Sequence, residues 1–411
     1  MKSAGPRAVR TTVSLLCGCL LVLPNLAASS AARSSCSKSE APKPAHTAGD
    51  KRTAAKTGAI LRGVGVFRLG SSYQTAPELS RAQYVVVSRN AARAAARLPG
   101  TSLVYMSGTA IQQEWSTGVP FAVARDQGWL LKDPDGRYVS GLNGSIVADV
   151  GDRNYQQTFV ESVASFLRQN GDDGVFIDDV VADLRIETSG ALPAKYPTPE
   201  AWETAMVDFV DNVGGSLRER GYYVLVNAVK FVPYDARSDD GTLTHEFWQD
   251  IAPDVSGLLM EFWLQNPVDR EPRSLGPEWF QQWPGWQALV STAQSGGADF
   301  FGLMYGGNRD RRVMRFGRGS FMLDWDGHGG AFVFHGSDTR KTFDTAWVKQ
   351  LGSPRAKKIQ RADGVWTRQY ARGVVVVNAR NEPITLCIEG ISRRIGAVDA
   401  AFVTEQSQRN R

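Results

Sequence analysis

The sequence predicts an α/β fold, a (β/α)8 TIM barrel with a small C-terminal antiparallel β appendage. Three observations carry that expectation. Eight short apolar runs recur between residues 63 and 326, amphipathic stretches separate them, and neither G-x-G-x-x-G nor G-x-x-x-x-G-K occurs. A doubly wound open sheet, the alternative, usually carries one of those phosphate loops.

The eight runs are Gly63–Phe67, Tyr84–Ser88, Ser102–Ser107, Gly174–Val180, Tyr223–Val229, Gly257–Leu264, Phe300–Gly306 and Ser320–Asp326. Each is continuous rather than alternating, as strands buried on both faces of a parallel sheet are. Between them, Asn154–Gln169 places Phe159, Val163, Phe166 and Leu167 on one helical stripe and stops at Gly171. Thr198–Arg220 starts at Pro199-Glu200, carries Trp202, Met206, Phe209, Val210 and Val213 on one face, and stops at Gly221. Trp283–Ser295 is the third helix, ended by Gly296-Gly297. Residues 108–150 break the period as a long insertion after the third strand, on the face where barrel active sites lie, and are expected to form a substrate wall.

The ends differ in character. Lys2, Arg7 and Arg10 precede the apolar run Val13–Leu23 and a small-residue stretch to Ala32, the pattern of an export signal over residues 1–32. The run is about half the roughly 20 residues that a membrane span needs. A lipid anchor at Cys17 is the lesser alternative. Residues 33–58 hold almost no large apolar side chain and read as a flexible linker. The barrel is expected over 59–328 and the β-rich appendage over 329–411, where runs such as Gly329–His335 and Gly373–Asn378 alternate with turn signals. After loss of the leader Cys36 and Cys387 remain, either as a disulfide or as two thiols.

Net charge is +5, but residues 1–60 carry +7, which leaves −2 on the body. Nucleic acid is therefore disfavoured as a partner. There is no G-x-S-x-G elbow, no H-E-x-x-H and no C-x-x-C pair, and only His245 of four histidines falls within the span of the eight expected strands. A serine triad or a metal site is poorly supplied, and no cofactor is expected.

Carboxylates are well supplied. The fourth run ends in Asp178-Asp179, and the sixth embeds Glu261 between Met260 and Phe262-Trp263. An acid at the end of an apolar strand is costly unless it serves the barrel mouth. Burial beside apolar rings raises a carboxyl pKa toward that of a general acid. The bland alternatives are loop caps for the aspartates and a buried ion pair for Glu261. Strands four and six are one strand apart, close enough for two inward acids to flank one glycosidic bond. Arg68, Tyr105, Asn227, Tyr305, Asp324 and Asp326 end other runs, and Trp115, Trp129, Trp248, Trp263 and Trp325 are candidate aromatic platforms for sugar rings.

The motifs GVGVF, LVYMS, ADVGD, DDGVFIDDV, VLVNAV, LLMEFW and RGVVVVN resemble the hypothetical glycosyl hydrolase family 15. They are more distantly similar to glycoside hydrolase family 114, the endo-α-1,4-polygalactosaminidases. The resemblance covers about residues 60–390. It implies catalytic carboxylates at Asp178 and Glu261 and a sugar-binding role for Asn227. The 108–150 insertion and the extra C-terminal strands depart from the polygalactosaminidases, so only the reaction class carries over.

The expectation is a secreted glycoside hydrolase acting on a polysaccharide or oligosaccharide. Asp178 is its nucleophile and Glu261 its acid/base. Arg68, Tyr105, Trp115, Asp149, Asp179, Asn227, Trp263, Tyr305 and Asp324 are its substrate contacts. The rival reading is a non-catalytic glycan-binding or cell-wall-associated barrel, and the discriminator is whether Asp178 and Glu261 face one pocket. A deacetylase is the remaining alternative and would need a metal cluster.

Overall fold

The computed structural model describes residues 67–70, 83–112, 118–141, 144–230, 242–265, 279–305, 311–335, 351–388 and 390–404. The leader, the linker and Trp115 lie outside them.

Eight parallel strands form one sheet in chain order. They are β1 (Phe67–Gly70), β2 (Tyr84–Val87), β3 (Thr101–Ser107), β4 (Gly174–Val181), β5 (Tyr223–Val229), β6 (Gly257–Met260), β7 (Asp299–Tyr305) and β8 (Ala331–His335). Along each strand, alternate side chains divide between two cores. Tyr84, Val86, Leu103, Phe176, Leu225, Leu259, Phe301, Leu303, Ala331 and Val333 meet in one cluster contributed by β2 through β8. Their neighbours Val104, Val175, Ile177, Val224, Val226, Leu258 and Phe300 face the helix layer. A flat sheet cannot gather seven strands' side chains at one point, so this sheet is curled. Tyr84 of β2 meets the Phe301 ring of β7 edge-on at 4.8 Å. Its hydroxyl donates to Asp299 at 3.3 Å and accepts from the Gly330 amide at 3.3 Å. Among the described residues no ladder joins β1 to β8.

Two expectations fail at the last strand. Ser320–Asp326 is not a strand but the end of a helix, Arg311–Asp324, and the eighth strand is Ala331–His335, past the expected boundary at 328. The helix is covered on both sides. A Cβ on Gly317 would meet Met304 and Phe332 of the sheet at 2.5 Å, and one on Gly319 would meet Ala400 of the C-terminal strands at 2.6 Å. A helix buried all round has the same continuous apolar run as a buried strand, and periodicity alone does not separate them. The first strand is also displaced, from Gly63–Phe67 to Phe67–Gly70.

Three helices stand where expected. In α1 (Arg153–Asn170) the Asp152 carboxylate accepts from the Asn154 and Tyr155 amides, and Gly171 ends the helix at φ 79°. In α2 (Pro199–Phe209) the Thr198 hydroxyl accepts from the Ala201 amide. The chain then runs through a π turn at Val210–Gly214 and one more helical turn to Glu219. Two further long helices are α3 (Thr242–Ile251) and α4 (Trp279–Ser295), and the helix Arg311–Asp324 is α5. No helix among the described residues is long and apolar enough to cross a membrane.

The C-terminal strands are β9 (Ile359–Gln360), β10 (Trp366–Tyr370), β11 (Gly373–Asn378), β12 (Ile384–Ile388), β13 (Ile391–Ile395) and β14 (Asp399–Thr404). Strands β9, β10, β11 and β14 form one antiparallel sheet, and β12 pairs with β13. This unit is bound to α5. The Tyr370 hydroxyl donates to the Met322 carbonyl at 2.6 Å, and Arg315 pairs with Asp399 at 2.7 Å. Cys387 is disulfide-bonded, and the other three cysteines of the chain lie outside the described residues.

Candidate active site

The inward parity that fills the curled sheet with Leu103, Phe176, Leu225, Leu259 and Leu303 changes chemistry two residues later. The next inward positions on those strands are Tyr105, Asp178, Asn227, Glu261 and Tyr305. All five are half-buried, so water reaches them from the open end. Five adjacent strands thus lay one polar layer on an apolar plug at their C-terminal ends.

The layer is a continuous hydrogen-bond chain. Tyr105 Oη donates to Asp178 Oδ2 at 2.8 Å. Asn227 Nδ2 donates to Asp178 Oδ1 at 2.8 Å and to Glu261 Oε2 at 3.0 Å. The Tyr305 hydroxyl donates to Glu261 Oε1. Because one nitrogen serves both acids, Asp178 Oδ1 and Glu261 Oε2 can be no farther apart than the two bonds end to end, 5.8 Å. A trigonal amide nitrogen with its hydrogens ~120° apart puts them about 5 Å apart. Among the described residues no Arg or Lys contacts either acid, so the ion-pair alternative for Glu261 is not what holds it.

Local backbone breaks set these positions. The β4–β5 register slips between Ile177 and Val180, and Asp179 sits in that slip at φ 61°. A bulge in left-handed backbone lets two consecutive acids serve one mouth, which a regular strand forbids. Ser107 Oγ fixes Asp179 with a 2.8 Å bond to Oδ2, and Thr109 Oγ1 donates to the Asp179 carbonyl at 3.1 Å. After Glu261 the chain turns out of the sheet through Phe262 at φ 54° and Leu264 at φ 58°. Gln265 Oε1 then accepts from the Tyr305 amide at 2.6 Å, so the partner of Glu261 is itself held.

Electrostatics follow from crowding. Burial raises the Glu261 carboxyl, and the charge of Asp178 raises it further, against the donors Tyr305 and Asn227. Burial and then Asp178 push Asp179 up to about 8. Glu187, in the turn that follows β4, is pushed up to about 7 by burial, Asp178 and Glu261. Tyr105 and Tyr305 are raised by burial and by these acids, so both hydroxyls keep their protons and donate.

Other expected contacts are elsewhere. Trp263 is fully buried on the helix side, with its indole nitrogen donating to the Trp286 carbonyl at 2.7 Å. It fills the space above Gly302, where a Cβ would lie 2.4 Å from its ring. It anchors the turn after Glu261 rather than offering a platform, because the positive φ at Phe262 breaks the strand's alternation and turns it to the helix side. Trp129, Trp248 and Trp325 are likewise buried, their indoles spent on packing. Asp324 ends α5 and pairs with Lys358 at 2.6 Å, away from the layer, because its segment is helix and not strand. Asp149 is buried at the end of the insertion, where Lys195 Nζ at 2.6 Å and the Tyr196 hydroxyl at 2.5 Å occupy its oxygens. Arg68 lies in β1 with its backbone paired to Val85. Ser107, Thr109, Gln265 and Glu187 were not singled out from the sequence. Glu187 stands on a βα loop, and that placement was its available signal. Among the described residues no group of three or more His, Cys, Asp or Glu is arranged to hold a metal ion.

A model of the hypothetical glycosyl hydrolase family 15 matches residues 105–374. The chain belongs to that family. The match spans β3 to the start of β11 and so includes every member of the polar layer. This family 15 chain is a glycoside hydrolase, and its substrate is a carbohydrate. Among solved structures it is similar to the glycoside hydrolase domain of PelA from Pseudomonas aeruginosa, at 14% identity over 67% of this chain and 96% of that one, TM-score 0.42. It is also similar to Aspergillus fumigatus Ega3 in complex with galactosamine, at 12% identity over 71% and 98%, TM-score 0.41. A third is the maltogenic α-amylase AmyB from Thermotoga neapolitana, at 8% identity over 84% and 97%, TM-score 0.45. No curated protein matches the family 15 chain.

Proposed function

We propose that this family 15 chain is an exported hydrolase that cleaves a polysaccharide or oligosaccharide with two carboxylates and retention of configuration, on a complete (β/α)8 barrel. One observation carries the reading. A single Asn227 amide holds Asp178 and Glu261 at once, which bounds their nearest oxygens at 5.8 Å. Retaining glycosidases need about 5–5.5 Å between carboxyls, and inverting ones need about 6.5–9.5 Å to admit a water.

Asp178 is the nucleophile. Both its oxygens accept from neutral donors, so a lone pair faces the mouth in the charged form. It attacks the anomeric carbon as the glycosidic C–O bond breaks. Glu261, raised by burial and by Asp178, gives its proton to the departing oxygen. The resulting Glu261 carboxylate then takes a proton from water, the hydroxide adds to the same carbon, and the bond to Asp178 breaks. Tyr105, Asn227 and Tyr305 orient the acids, and Asp179 and Arg68 stand as substrate contacts. Export rests on the leader at residues 1–32, with 33–58 as its linker.

The test is proton NMR of the anomeric region during the first turnovers on an active substrate, found in a panel of bacterial and fungal polysaccharides. The first product should carry the anomeric configuration of the bond cleaved. Initial appearance of the opposite anomer would exclude Asp178 as nucleophile.

A further inference from the structure

One carboxyl group at this mouth has no protein partner. Asp178 and Glu261 each take two donors and Asp179 takes Ser107, but no hydrogen bond or ion pair among the described residues ends on the Glu187 side chain.

Its turn is nevertheless tightly built. The Asp183 carboxylate accepts from the Arg185 amide at 3.0 Å and from its guanidinium. Leu184 is fully buried, and its carbonyl accepts the Glu187 amide at 3.0 Å and the buried Thr188 hydroxyl at 3.1 Å. Ser189 and Gly190 then reverse the chain at φ 55° and 98°. The Glu187 backbone is therefore fixed in the turn that leaves the end of β4, the same strand end that carries Asp178 and Asp179, and the charges of Asp178 and Glu261 add to burial in raising its carboxyl. It is half-buried and still open to water.

A carboxylate that is partly desolvated, beside other acids and without a protein donor is unfavourable. In the empty protein water supplies that donor, and a sugar chain that fills the mouth displaces the water and has to donate in its place. We infer that Glu187 is a further residue of this active site, contacting the bound sugar chain by accepting a hydrogen bond from one of its hydroxyl or ammonium groups. This rests on the Asp178–Glu261 reading, since it needs a sugar seated between those acids. It is consistent with the raised Glu187 carboxyl, which a ligand donor would bring back down.

The experiment compares wild type, Glu187→Gln and Asp178→Asn on the polysaccharide that wild type cleaves best in the panel, together with carbon-13 NMR titration of glutamate-labelled protein without substrate. Glu187→Gln should lower kcat/KM by about 10- to 100-fold, the worth of one charge-assisted hydrogen bond, with an unchanged melting temperature. The kcat/KM profile should lose an ionisation near 7. In the titration, Glu187 of wild type should ionise near 7 and move lower in Asp178→Asn. Wild-type kcat/KM in Glu187→Gln, with Asp178→Asn inactive, would overturn this inference alone. An active Asp178→Asn would overturn the nucleophile assignment instead. If no polysaccharide is cleaved, a Glu187 carboxyl that titrates like an ordinary glutamate overturns the inference by itself.

Discussion

Replacing Asp178 with asparagine should abolish turnover and leave stability nearly unchanged, for reasons that can be weighed separately. Asparagine keeps the volume but offers one acceptor oxygen in place of two. Tyr105 and Asn227 both donate to Asp178, so one of them would face an amide nitrogen. Losing a hydrogen bond to a charged group costs about 1.5–3 kcal/mol. Against this, the substitution removes a negative charge no more than 5.8 Å from Glu261. With an effective dielectric of ~20, that repulsion is about 3 kcal/mol. The two effects nearly cancel, but only where Glu261 is ionised. Below its raised pKa the repulsion is already gone, so the lost bond dominates. Compared at pH 5 and pH 8, the variant should therefore fall further below wild type at the lower pH and draw closer to it at the higher one. Differential scanning fluorimetry at the two pH values reads the first part, and initial rates read the second, with kcat down by about 1,000-fold or more. A melting penalty that grows toward pH 8 would refute the claim that the acids repel each other, and appreciable turnover would refute the nucleophile.

Glu261→Gln should retain turnover on aryl glycosides with very good leaving groups, which need no proton, whereas Asp178→Asn should not; rates across a leaving-group series check this. Asp179 and Glu187 titrate higher folded than unfolded, near 8 and 7. Their contribution to stability is complete below about pH 4 and is lost as pH rises through 7 to 8. Melting temperature should fall from pH 6 to 9, more gently in Asp179→Asn, and a flat wild-type profile would oppose the assignment. Lys195→Met strands the buried Asp149 carboxylate and should cost about 1–2 kcal/mol, since the lysine is itself half-exposed. Adding Asp149→Asn should recover part of that loss in urea unfolding, and no recovery would show that the two do not interact.

Six of the eight strands of the sheet were legible in place, and the first within a few residues, because two-face burial writes an uninterrupted apolar run, and Asp178, Glu261, Asn227, Tyr105 and Tyr305 stood out as polar residues where such runs end. What the sequence hid has identifiable causes. The second half of α5, Phe316 to Leu323, is buried throughout between the sheet and the C-terminal strands, so that stretch carries no solvent face to betray the helical period. Ala331–His335 then looked like part of the appendage because the real seventh connection had been read as a strand. Tryptophan type alone does not say which face it serves: Trp263 follows Glu261 by two residues, yet positive φ at Phe262 turns it behind the sheet. Glu187 lies in a turn with no apolar run beside it, and only the folded chain brings it to the acids.

The bonds of Tyr84 have a consequence for how the molecule is made. That tyrosine, at the start of β2, completes its hydrogen bonding with residues 215 and 246 positions later in the chain. At about 5–20 residues per second, a ribosome takes roughly 12–50 s to supply the last of them. Throughout that interval the growing chain has strands but no closed interior, and the earliest segments wait without their final neighbours. Such late closure makes folding slow and leaves the nascent polypeptide pliable. If the chain is exported as proposed, lateness is an advantage, because the residues that lock β2 in place are made long after β2 itself.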